Sequence, residues 1–163
     1  LSKGFAMTGW RLGYLAAHKD IAFACEKIQG QFTSGTNAMT QKAAITALNA
    51  DLTETYKMRD IFKERRELMI SSLSSIEHLK INQPEGAFYV FPDVSAYFGK
   101  SFNHINIDNA SDLCFYLLNE AYVTTVGGAA FGAPNYIRIS YAASSEDLAL
   151  ACTRIKTALQ KLN

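Results

Sequence analysis

Two short stretches carry residues whose chemistry goes beyond packing. The first is the opening segment LSKGFAMTGWRLGY, which places Lys3, Gly9, Arg11 and Gly13 within eleven residues. A lysine amine forms a Schiff base with a carbonyl when burial or neighbouring positive charge depresses its pKa. An arginine fork binds phosphate or carboxylate through two parallel hydrogen bonds. Glycines let the backbone approach such a ligand closely. The second stretch is YIRISYA, in which Arg138 interrupts an apolar run. A guanidinium buried there without compensation is costly, so the position predicts an anionic partner. That partner is either a ligand or a structural carboxylate such as Asp93 or Glu85. By residue type alone, the favoured reading of Lys3 and Arg11 is a surface lysine and a surface ion pair.

The rest of the composition narrows the classes. The chain has 163 residues, 48% of them apolar, and a formal net charge of +1. This is an ordinary globular composition with room for one domain, or one domain and part of another. The balanced charge gives no electrostatic footprint for nucleic acid. No apolar run reaches the ~20 residues that a membrane-spanning helix needs. Cys25, Cys114 and Cys152 are odd in number and widely spaced in helix-like apolar segments, so they read as small core fillers. His18, His78 and His104 lack metal-ligand spacing.

The elements that must position the reactive residues follow from periodicity and punctuation. TGWRLGYLAAH reads as a turn and then a strand. KDIAFACEKIQGQF and NAMTQKAAITALNA read as helices, the second capped by Asn37 or Thr36. Residues 51–76 carry Leu52, Tyr56, Phe62, Met69 and Leu73 on one face and charges on the other. They predict one long amphipathic helix, about twice the mean length, that bridges two packing units. LKINQPEGAFYVFPDV gives two strand candidates, with Pro92 ending the second or putting it at an edge. SAYFGKSFNHINIDNA reads as loop. A short helix capped by Ser111 or Asn109 follows, then a strand in YVTTV, a glycine-rich loop in GGAAFGAP and a strand in NYIRISYA. Ser144 with Asp147 starts a last helix through a capping-box-like pair. The second half is thus an α/β or α+β layer of helices on a small sheet. The first fifty residues hold too little to close a core by themselves.

Order and spacing add a family reading. SKGFAMTGWRLGY resembles the cofactor-lysine segment of class I pyridoxal-phosphate-dependent aminotransferases, matching at Ser2, Lys3, Gly9, Arg11, Gly13 and Tyr14. PEGAFYVFPDVSAYFG, GGAAFGAP and YIRISYA follow in the family's order and near its separations. The resemblance is nearest to bacterial aspartate aminotransferases. It implies the C-terminal part of that transferase fold. Residues 1–50 would be a remnant of the large cofactor domain, and residues 51–163 the small domain with its bridging helix.

The resemblance also implies roles. Lys3 holds pyridoxal 5'-phosphate covalently and moves the substrate proton, Arg11 clamps the cofactor phosphate, and Arg138 binds the substrate α-carboxylate. The implied reaction exchanges an amino group between an amino acid and a 2-oxo acid. L-aspartate and 2-oxoglutarate are the expected pair, giving oxaloacetate and L-glutamate. The implied protein is a cytoplasmic homodimer with no nucleic acid or membrane partner. The aromatics of GAFYVFPDVSAYFG read first as strand and domain-interface packing; the resemblance offers bordering the substrate as the second reading of Gly86 and Phe88, and would bring QFTSGTN to the partner subunit's cleft. The family's remaining cofactor contacts precede its lysine, so these residues alone are expected to be a C-terminal fragment without activity. A lyase or synthase on the same fold, or a transcription regulator with an aminotransferase-like sensor domain, are the alternatives.

Overall fold

The computed structural model describes all residues 1–163. The chain divides into two compact units, Leu1–Met58 and Arg59–Asn163.

The first unit opens as a coil of tight turns. Phe5 N–H donates to the Leu1 carbonyl, Ala6 N–H to Lys3 and Trp10 N–H to Met7. The last of these closes a 3-10 turn, Thr8–Trp10. The strand expected in TGWRLGYLAAH does not form, because no strand in this unit offers it a ladder. Helices α1 (Lys19–Phe32) and α2 (Ala38–Asn49) follow. Asn37 caps α2, its side-chain oxygen accepting from Met39 N–H at 2.9 Å and Thr40 N–H at 3.3 Å. Burial in this unit is sparse. Only Met7, Thr40 and Ala44 are buried, and α1 buries none of its residues. Cys25 is therefore exposed on α1 rather than a core filler.

Helix α3 (Thr53–Ser74) is the long helix that the apolar periodicity predicts. Asp51 accepts from Thr53 N–H at 2.9 Å and starts it. Its C-terminal turns bury Met69 and Leu73 in the core of the second unit.

That unit is a layer of helices on a small antiparallel sheet, an α/β arrangement. The sheet runs β1 (Tyr89–Val90), β5 (Ile137–Ser140), β4 (Val126–Gly127) in spatial order. A separate hairpin pairs β2 (Lys100–Phe102) with β3 (Ile105–Ile107). It replaces the loop expected in SAYFGKSFNHINIDNA. Its two-residue connection holds Asn103 at φ 52°, a left-handed turn that asparagine tolerates. Two strand expectations shrink. LKIN contributes one bridge, Lys80 to Asp93, and YVTTV contributes only its last valine. Tyr122 instead ends α4 (Ala110–Ala121) in the left-handed conformation.

Helix α4 is capped by Asn109, which accepts from Ser111 and Asp112 N–H groups. Helix α5 (Ser145–Leu159) starts on the Ser144–Asp147 pair, Ser144 Oγ accepting from Asp147 N–H at 3.1 Å. The two helices close the core together. Leu113, Tyr116 and Leu117 of α4 are buried beside Leu148, Cys152, Ile155 and Leu159 of α5. Tyr116 OH donates to the Ala158 carbonyl at 2.8 Å, so this buried phenol is satisfied.

Candidate active site

Strand alternation decides where Arg138 stands. Register pairs Tyr89 with Ser140 and Val126 with Arg138. Because side chains alternate between faces, Ile137, Ile139 and Val90 turn into the core and are buried. Arg138, Ser140, Tyr89 and Val126 share the opposite face. Arg138 is half-buried there. The guanidinium is thus outside the core, and the burial cost inferred from its apolar neighbours in sequence is smaller than expected.

Its surroundings are specific. The guanidinium carbon lies 4.4 Å from the Tyr89 ring centroid and 4.3 Å from that of Phe131. No protein carboxylate pairs with it. Asp93 is engaged elsewhere. It accepts from Ser95 N–H at 2.9 Å, and that bond holds its carboxyl below the usual carboxylate range. Glu85 is exposed and pairs with nothing cationic. The structural-carboxylate explanation of Arg138 therefore fails.

Phe131 reaches Arg138 from a short 3-10 turn, Gly128–Phe131, that follows β4 directly. Gly128 N–H donates to the Tyr136 carbonyl at 2.7 Å, and Ala133 N–H donates back to Gly128 at 3.0 Å. Gly132 takes φ 74° at the end of the turn, a conformation that glycine adopts without steric cost. The GGAAFGAP segment is thus a closed backbone knot beside the arginine strand.

The other two predicted residues belong to the first unit. Arg11 adopts φ 52°, ψ 53°, the left-handed region that a non-glycine residue occupies at a cost of about 1–2 kcal/mol. Such strain clusters at ligand sites. Its guanidinium is exposed. It donates to the Thr8 carbonyl at 3.1 Å and pairs with no carboxylate. Arg11 lines an open cleft of about 1050 Å³ together with Gly9, Trp10, Thr36, Asn37 and Thr40. The surface ion pair that residue type allowed is absent. Lys3 is exposed in the opening coil, not on the cleft wall. Thr8 Oγ1 donates to the Ser2 carbonyl at 2.8 Å, and Thr55 Oγ1 to the Gly4 carbonyl at 3.1 Å, bracketing Lys3 on both sides.

Sequence reading missed Tyr89 and Phe131 as neighbours of Arg138. Tyr89 stands in an aromatic run whose partners the sequence does not display, and only the β1–β5 register places it diagonally across from Arg138. Burial pushes the Cys114 and Cys152 thiols up, which disfavours their thiolates. No helix is long and apolar enough to cross a membrane.

The aminotransferase class I and II family model matches residues 1–155. The chain belongs to the aminotransferase class I and II family. A Petunia hybrida relative, a bifunctional aspartate aminotransferase and glutamate/aspartate-prephenate aminotransferase, is 49% identical over 164 residues. The match covers 97% of this chain and 34% of that relative. The crystal structure of the aspartate aminotransferase from Rhizobium meliloti superposes with TM-score 0.93 at 37% identity, over 99% of this chain and 41% of that one. An aromatic aminotransferase from Pyrococcus horikoshii superposes with TM-score 0.87 at 33% identity, over 97% and 41%. The chain spans roughly a third to two-fifths of the length of the curated relatives it matches.

Family membership implies pyridoxal 5'-phosphate as cofactor. The residues present fit two of its functional groups. An accessible primary amine, Lys3, suits its aldehyde. An arginine without a carboxylate partner, set on an open cleft beside Gly9, suits its phosphate.

Proposed function

We propose that this chain supplies the cofactor lysine, a phosphate arginine and the substrate-carboxylate arginine of a transaminase. L-aspartate and 2-oxoglutarate are the proposed substrate pair. The observation that carries the reading is Arg138, a guanidinium held between two aromatic rings on the open sheet face with no carboxylate partner. The aspartate preference rests on the relatives, several of which are aspartate aminotransferases. An aromatic amino donor is the second reading, supported by the Pyrococcus horikoshii neighbour. In this reading residues 1–50 belong to a large cofactor domain and residues 51–163 to a small domain. Further contacts to the cofactor ring come from polypeptide outside residues 1–163, and the working protein is a cytoplasmic homodimer. Residues 1–163 by themselves are inactive.

When bound, pyridoxal 5'-phosphate supplies a ring that accepts the electron pair left by a breaking α-C–H bond. Arg11 holds the phosphate end through charge-assisted hydrogen bonds. Arg138 takes the substrate α-carboxylate in a bidentate fork. Fixing both ends aligns the α-C–H bond, which removes orientational freedom from the reacting state. Lys3 Nζ would take up and return the proton at the substrate α-carbon. General acid–base help of this kind is worth about 10²–10⁴-fold.

Borohydride reduction of the cofactor-loaded complete enzyme, followed by peptide mapping, is expected to leave the label on Lys3. Label on another amine defeats the assignment. Lys3→Ala is expected to abolish turnover, and Arg138→Leu to raise KM for every amino donor. A coupled assay with aspartate, phenylalanine and alanine separates the two donor readings. It also separates transamination from a lyase, which releases no second amino acid.

A further inference from the structure

We propose that Tyr89 and Phe131 are positioning residues that hold the Arg138 guanidinium ready for a carboxylate, and so set substrate affinity. This rests on the reading that Arg138 receives the substrate carboxylate. Three features of the site carry the proposal.

The first is what ring contact leaves open. An arginine carries five N–H donors in the plane of its guanidinium. Aromatic rings attract the cation through their π faces and accept no conventional hydrogen bond from that plane. With ring centroids at 4.4 and 4.3 Å, the charge is held while the donor edge is not consumed by any carboxylate. The rings also come from the two sides of β5. Tyr89 lies in β1 on one side, and Phe131 follows β4 on the other. Arg138 is therefore flanked across the sheet, and a long side chain with large rotamer freedom is restricted before ligand arrives.

The second is that both rings are themselves fixed. Phe131 meets Phe91 edge-on at 6.2 Å, and Phe91 stacks on Tyr136 at 5.3 Å and 22°. Its turn is closed by the Gly128–Tyr136 and Ala133–Gly128 backbone bonds. Tyr89 is fixed through β1 and its contact with Phe88 at 4.5 Å.

The third is exposure. Phe131 keeps 47% of its surface open, and Tyr89 is only half-buried. Neither belongs to the buried core. Both rings stand on the open sheet face, and both contact the arginine.

The test uses the complete cofactor-loaded enzyme. Phe131→Leu, Phe131→Met and Tyr89→Leu are each expected to raise KM for donor and acceptor about 3–10-fold, and the Tyr89→Leu/Phe131→Leu double variant more. The turnover number is expected to stay within about 2-fold, because the contact is the same in the ground and transition states. The dissociation constant of succinate, an unreactive dicarboxylate, is expected to rise in parallel. Phe131→Tyr and Tyr89→Phe, which keep a ring, are expected to match the parent. Leu and Met differ in shape and volume but both lack the ring, so agreement between them ties the effect to the ring. Ring-less variants that keep KM and succinate affinity, while Arg138→Leu loses both, overturn the positioning role and leave the Arg138 reading intact. If Arg138→Leu changes neither quantity, the carboxylate reading falls, and the positioning role with it.

Discussion

Gly128 lies against the carbonyl of Ala133: a Cβ built on it would stand 2.1 Å from that oxygen and 2.6 Å from the Tyr136 oxygen. Both obstacles are backbone, and neither can move without opening the turn that carries Phe131. Gly128→Ala is therefore expected to destabilise the chain by about 1–3 kcal/mol, as overpacking does. Gly127→Ala is the control. Its nearest obstacle is the Ser111 hydroxyl at 3.0 Å, which has room to rotate. Urea midpoints of the two variants are expected to separate clearly, and equal midpoints would contradict the crowding argument.

Arg138→Lys separates charge from geometry. The lysine keeps the positive charge but offers a point donor in place of a planar fork. Losing one charge-assisted hydrogen bond to a ligand carboxylate is expected to raise KM about 10–100-fold in the complete enzyme. The variant's melting temperature is expected to stay near the parent's, because no protein carboxylate loses a partner. A large drop in melting temperature would instead mark Arg138 as a structural cation.

Much of this was legible in the sequence, and the reasons differ by element. Helices α2, α4 and α5 carry their own caps, so Asn37, Asn109 and Ser144 announce them locally, while α1 and α3 are announced by apolar periodicity. Strands depend on partners that sequence does not display. The segment after Trp10 looked like a strand and found no ladder, while Lys100–Phe102 and Ile105–Ile107 looked like loop and found each other across Asn103. Lys3, Arg11 and Arg138 stand out in the sequence as candidates only through the family resemblance. Tyr89 and Phe131 do not stand out, since they meet Arg138 only through the order β1-β5-β4. The electrostatic setting of Arg138 was misread for the same reason. An apolar neighbour in sequence sits on the opposite face of a strand.

Tyr97 gives the second unit a signature at high pH. Its hydroxyl donates to the Glu77 carbonyl, and the residue is 3% exposed. Burial, reinforced by the nearby Glu77 charge, pushes its pKa up to about 12. A raised pKa means that the folded state keeps a proton the unfolded chain releases. Stability is therefore intact below about pH 10 and falls as pH rises from about 10 to 12, by at most about 1.4 kcal/mol per pH unit for this group. Burial raises Tyr116 and Tyr141 in the same direction. Urea midpoints at about pH 9 and pH 11 are expected to differ in the parent and to differ less in Tyr97→Phe. An undiminished difference in that variant would assign the alkaline loss to other groups.

Helix α1 is where the chain has least to hold it. Its fourteen residues include none that is buried, and Phe32 keeps 83% of its surface open. Isolated helices of this length are marginal in water, because nucleation is unfavourable and packing supplies most helical stability. Gly30 adds to the weakness. It stands in the helix with nothing within 4 Å of an added Cβ, so its only effect is the entropic penalty of glycine. In residues 1–163 alone, α1 amides are expected to exchange with deuterium orders of magnitude faster than those of α4 and α5, whose inner faces are buried in the core. Gly30→Ala is expected to slow α1 exchange by a factor matching about 0.5–1 kcal/mol, and to leave α4 and α5 unchanged. Protection of α1 equal to that of α5 would show that the helix is held by contacts these residues do not reveal.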